Sequence, residues 1–109
     1  MKQDEFSKCR DAMAENRHSL LMRKWEDYRE GSDDVLANFK NMATRLDVTK
    51  YKTLGVYMGK HFDSIYKFCK DPTEIGSEPI ESRIADAMNY LDFLHAMVCE
   101  DRSNNQIKN

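Results

Sequence analysis

Apolar residues recur at three- and four-residue intervals along nearly the whole chain, and no stretch of useful length alternates with a period of two. A strand on a half-buried sheet needs that two-residue period, so the pattern restricts the chain to helices. The expectation is an all-α fold, a bundle of four to five helices. With 109 residues the chain supports one domain whose core is modest, so association with further copies would add much of the buried surface. We therefore expect a single helical domain over residues 1–101, a polar tail over 102–109, and a homo-oligomer.

The first helix reads from about Asp4 to Tyr28, with Phe6, Cys9, Met13, Leu20, Leu21, Trp25 and Tyr28 as its apolar stripe. The polar run Asn16-Arg17-His18-Ser19 interrupts that stripe and is the place where the helix can divide. Gly31 ends it, and Ser32 can cap a second helix over about Asp33 to Leu46, where two carboxylates complement the positive helix start. Val35, Phe39, Met42 and Leu46 form its core stripe. Thr49 caps a third helix reaching Cys69 or Lys70, with Leu54, Met58, His61, Ile65 and Phe68 facing inward. Asp71 to Ser77 holds Asp, Pro and Gly in turn-forming order, so it reads as a loop. Ser77 then caps a last helix whose first turn tolerates Pro79, with a stripe of Ile80, Ile84, Ala87, Leu91, Leu94 and Val98. Gly55 and Gly59 each cost roughly 1 kcal/mol inside the third helix. They either allow a helix to approach closely, from this chain or a second subunit, or are simply tolerated near the helix start.

Charge narrows the partners. The 17 basic and 19 acidic side chains are well mixed, leaving a net charge of −2, so there is no strong nucleic-acid signal and nothing that favours an anionic membrane. No apolar run approaches the roughly 20 residues that span a bilayer. Cys9, Cys69 and Cys99 are odd in number, widely spaced and without metal-ligand spacing, which points to a reducing, cytoplasmic setting. Phosphate-loop, dinucleotide, zinc-protease and serine-hydrolase motifs are all missing, and His18, His61 and His95 have no ligand spacing. A small molecule or a protein partner remains.

The last helix carries the candidate chemistry. At 100° per residue Arg83, Asp86 and Tyr90 fall on one face, Asn89 flanks them, and Glu78 and Glu81 precede them. Such acids can converge on Mg²⁺ and a bound phosphate. Alternatively, Arg83 and Asp86 form an ion pair three residues apart and Tyr90 packs at a rim. On the third helix Lys60 offers a compact cation and His61 a donor or acceptor near neutral pH, although His61 on an apolar face equally fits a core residue. Tyr28, with Trp25, can line a base pocket or belong to the core, and Asn38 can extend amide hydrogen bonds to the same space or bond between helices.

Taken in order, Lys24-Trp25-Glu26-Asp27-Tyr28, Asn38-Phe39, Lys60-His61-Phe62-Asp63, and Glu78-Pro79-Ile80 through Asp86 and Asn89-Tyr90 resemble small helical phage and prophage proteins of the nucleotide-modification-associated type. The resemblance spans about Met22 to Asp101, and the final helix is its most specific part. It implies an all-α fold and a link to nucleotide metabolism or DNA modification, related to MazG-like nucleoside triphosphate pyrophosphohydrolases. Ser82 stands where that family often has another Asp.

Two functional expectations follow. The first is a nucleotide-binding protein that, in an enzymatic version, hydrolyses a nucleoside triphosphate with Mg²⁺. Glu78, Glu81 and Asp86 would hold the metal, with Glu78 and Asp86 catalytic, while Tyr28, Asn38, Lys60, His61, Arg83, Asn89 and Tyr90 would bind substrate. The second is a non-enzymatic helical module that acts on a host or phage protein.

Overall fold

The computed structural model describes residues 1–73 and 78–107. Those residues form five helices and no strand: α1 (Gln3–Arg23), α2 (Trp25–Arg29), α3 (Ala37–Leu46), α4 (Lys50–Lys70) and α5 (Ile80–Ser103). The all-helical expectation is met. No helix among the described residues is long and apolar enough to cross a membrane.

The first helix does divide, but at Lys24 rather than at Asn16–Ser19. The Lys24 amide is shared between the Leu20 and Leu21 carbonyls, both at 3.2 Å, and its backbone leaves helical geometry at φ −100° and ψ 3°. Asn16–Ser19 stays helical because its polar groups meet α5: Arg17 ion-pairs with Asp92, and the Arg17 carbonyl accepts from the Asn89 amide at 3.0 Å. Glu30 and Gly31 both take positive φ, at 49° and 76°, and end α2.

Ser32 does not cap this helix, whose cap position falls on Leu36 without a side-chain bond; Ser32 closes the turn ahead of it. Its Oγ accepts from the Asp34 amide at 2.9 Å, and Asp34 Oδ1 in turn accepts from the Leu36 amide at 2.9 Å. These two side-chain bonds hold Asp33–Leu36 as turns, so α3 starts only at Ala37. Thr49 caps α4 as its position predicts, accepting from the Lys52 amide at 3.1 Å. In the loop, Asp71 Oδ1 accepts from the amide and hydroxyl of Thr73. Ser77, the expected cap of the last helix, lies outside the described residues, and Pro79 occupies the cap position.

Helix α5 packs between α1 and α4, and α3 packs on α4. Both of its neighbours run antiparallel to it. On one side Arg17 and Lys24 meet Asp92 and Asp86; on the other, Lys50 and His61 meet Asp101 and Asp86. Phe39, Leu54 and Met97 are fully buried and join Tyr28, Leu36 and Phe93 in one core, with Tyr28 and Phe93 ring centres 4.7 Å apart.

The buried face of α5 differs from the apolar stripe. Ala85, Asp86, Asn89, Phe93, Met97 and Asp101 are buried, whereas Leu91 is exposed. Flanked on two sides, α5 carries inward the polar residues that find partners on α1 and α4. Helix α1 departs from expectation in the other direction. Its first ten residues are exposed, and Phe6, placed in the core stripe, is 55% accessible.

Candidate functional site

The break at Lys24 aims the lysine side chain across α1 at α5. Its Nζ lies 3.0 Å from Asp86 Oδ1, and Asp86 is buried, its side chain only 6% accessible, whereas Lys24 reaches solvent. The Arg83–Asp86 pair that spacing allows does not form; Lys24, 62 positions away in sequence, takes its place. On the far side of the carboxylate, His61 Nδ1 stands 3.9 Å from Asp86 Oδ2, beyond hydrogen-bonding distance. The imidazole lies against the Tyr90 ring, with centres 4.9 Å apart, and Tyr28 meets Tyr90 edge-on at 6.5 Å. Tyr28, His61, Asp86 and Tyr90 thus lie together, and Lys24 completes the group.

The electrostatics follow from this geometry. Burial pushes the His61 pKa below the ordinary imidazole value; Asp86 opposes that shift, and the charges of Lys24 and Lys60 reinforce it. The imidazole is thus neutral at pH 7, able to donate from one nitrogen and accept at the other. Burial, aided by the neighbouring Tyr90 and Asp86, raises the Tyr28 phenol, and burial likewise raises Tyr90. Both phenols stay protonated and can donate. The ensemble is a carboxylate compensated by one lysine, a neutral imidazole and two aromatic hydroxyls at the junction of α1, α2, α4 and α5.

The other candidates are placed differently. Asn89 spends its amide on the Arg17 carbonyl and so ties α1 to α5. Lys60 is exposed, close enough for its charge to act on His61, and Glu78 is exposed and acts on the same ring with opposite sign. Asn38 and Arg83 are half-buried, Glu81 is exposed, and no contact among the described residues ties these three to the cluster.

Of Glu78, Glu81 and Asp86, the expected Mg²⁺ ligands, only Asp86 is buried. Two are exposed and the third is already neutralised by an ammonium group, and among the described residues no three His, Cys, Asp or Glu side chains gather as metal ligands would. No step through a metal is derived for these residues. Cys9, Cys69 and Cys99 are free and exposed.

A second polar cluster, absent from the sequence reading, lies at the opposite end of α5. Lys40 Nζ meets Asp34 at 2.6 Å and Glu100 at 2.9 Å; Lys50 Nζ meets Glu100 at 3.1 Å and Asp101 at 2.5 Å. Tyr51 donates to Asp101 at 2.6 Å, and burial together with that bond pushes its phenol up to about 12. Every member is matched, so this cluster reads as structural. Comparison of the chain with protein-family models, with curated proteins and with solved structures finds no match.

Proposed function

We propose that this chain is a small-ligand-binding helical protein that takes a nucleotide-class ligand at the Lys24–His61–Asp86–Tyr90 cluster. The observation that carries the reading is the open geometry at His61. A neutral imidazole is held beside a buried carboxylate at 3.9 Å without bonding to it, stacked near Tyr90 and next to an ammonium group that reaches solvent. Lys24 and exposed Lys60 supply cations for phosphate, and the neutral imidazole and Tyr90 hydroxyl supply hydrogen bonds suited to a base or sugar. A buried ionic group costs more in a helical core than apolar residues of the same shape, which is a reason to look for a function in it. The sequence resemblance to phage nucleotide-modification-associated proteins supports the same ligand class. The reading rests on binding, because the residues that converge here are suited to holding a ligand.

Thermal denaturation with common nucleoside mono-, di- and triphosphates tests it. A nucleotide present at a hundred times its dissociation constant stabilises the fold by about 2.7 kcal/mol. Lys24→Ala and Tyr90→Leu variants that still fold should lose most of that shift, and pyrophosphate release should be absent with or without Mg²⁺. If no nucleotide shifts the unfolding of the wild-type chain, the reading fails. A second reading, a non-enzymatic interaction module, is favoured by a separate observation. An apolar groove of about 380 Å³ between α3 and α4 is lined by Met42, Leu46, Val48, Lys52, Thr53, Val56 and Tyr57.

A further inference from the structure

The chain exposes more surface than a compact protein of its mass. Its accessible area is 7998 Å², against about 6,300 Å² for a typical folded monomer of 12.8 kDa. The excess is roughly twice the 800 Å² that one partner buries in a standard stable interface. The radius of gyration agrees, at 16.0 Å against about 13 Å for a compact domain of this length.

Part of that surface lies along α1, and part forms one continuous face of α4. Lys52, Val56, Gly59, Asp63 and Tyr66 recur at alternating four- and three-residue steps along α4, which puts them on one stripe, turned away from His61 and the core. Val56 is 73% and Tyr66 68% exposed, and a Cβ built on Gly59 meets nothing within 4 Å. Lys52 and Asp63 are exposed, and neither has a side-chain partner among the described residues. The groove of Leu46, Val48 and Val56 adjoins the Lys52 end of this stripe.

We infer that a second copy of this chain covers this face, the two α4 helices packing antiparallel about a two-fold axis near Tyr57 and Met58. The stripe is self-complementary in that arrangement. With the axis there, Val56 of each copy faces Gly59 of the other, and Lys52 faces Asp63, so two apolar contacts are flanked by two opposite-charge contacts. Tyr66 then lies opposite Thr49, beside Val48 and Leu46 of the second copy, over the mouth of its apolar groove. The pairing closes on itself, so it makes a dimer rather than a filament. It also accounts for Gly59: the missing side chain admits Val56 of the other copy, whereas within one copy the space is empty. The His61 cluster lies on the other side of α4, so this inference stands independently of the nucleotide reading.

Sedimentation equilibrium of the full chain tests it, with circular dichroism of each variant as the check on folding. The wild-type chain should sediment as a dimer. Gly59→Leu, whose Cβ meets nothing within 4 Å in one copy and which favours helix, should keep the helical signal and raise the dimer dissociation constant by roughly a hundredfold or more. Lys52→Glu should weaken the dimer, and adding Asp63→Lys should restore it. A monomeric wild-type chain overturns the inference. So does a dimer that ignores both Gly59→Leu and the charge exchange, or one lost only on Phe6→Ser, which would put the interface on α1.

Discussion

Asp86 shows how a single residue can change meaning between sequence and structure. In the sequence it is one of several acids on one helix, open to metal binding or to an ion pair with Arg83; in the fold it is buried, bonded to Lys24 and faced by His61. Its position on the last helix is legible from spacing alone, whereas its partner is not, because nothing local links residues 62 apart. His61 carries the clearest consequence. Its pKa is depressed in the folded state, so above the ordinary imidazole value near 6.5 both states are neutral and the full stability is present. As pH falls below 6.5 the unfolded chain binds a proton that the folded chain refuses, and stability declines until the folded pKa is passed. Chemical denaturation between pH 7.5 and 5 should show this decline, and His61→Gln should flatten it; an unchanged slope in that variant would place the titration elsewhere.

At the scale of the element, local rules succeed where the controlling contact is local. Thr49 caps α4 through a bond three residues away, and its identity and position announce this in the sequence. Replacing it with Ala should cost about 1 kcal/mol of stability, measured from the urea midpoint at constant slope, with Thr49→Ser retaining most of it. Local rules miscarry on α1 and α5. The polar run Asn16–Ser19 looks like a break, yet stays helical because Asp92 and Asn89 engage Arg17. The apolar stripe of α5 puts Leu91 inward, but a helix flanked by two others is turned by its polar partners, which leaves Leu91 exposed.

For the molecule as a whole, the matched charges at the far end of α5 tie four segments together: the turn before α3, α3 itself, the start of α4 and the end of α5. Hydrogen bonds from Lys40 and Lys50 hold Glu100 below its ordinary carboxylate value, and those from Lys50 and Tyr51 hold Asp101 below its own; burial pulls both lysines down, but bonds to Asp34 and Glu100 hold Lys40, and bonds to Asp101 and Glu100 hold Lys50, above theirs. Their contribution is therefore complete between the ordinary carboxylate and ammonium ranges, lost as pH falls through the depressed carboxylate values and lost again as pH rises through the elevated lysine values. Lys50→Met should lower the melting temperature at pH 7 clearly more than the same change at Lys8, which is exposed and makes no ion pair among the described residues. Equal effects would show that the network adds nothing beyond an exposed charge.

The sequence by itself determined that the chain is helical, where Thr49 and Gly31 place their boundaries, and that Tyr28 and His61 lie on apolar helix faces, because these follow from periodicity and from bonds spanning a few residues. The tertiary structure alone decided that Asp86 turns inward and is compensated by Lys24, that Lys50 and Tyr51 anchor Asp101, and that one face of α4 is left uncovered. Each of those depends on which helices lie side by side, and pairings between residues fifty or more positions apart leave no mark in a local pattern.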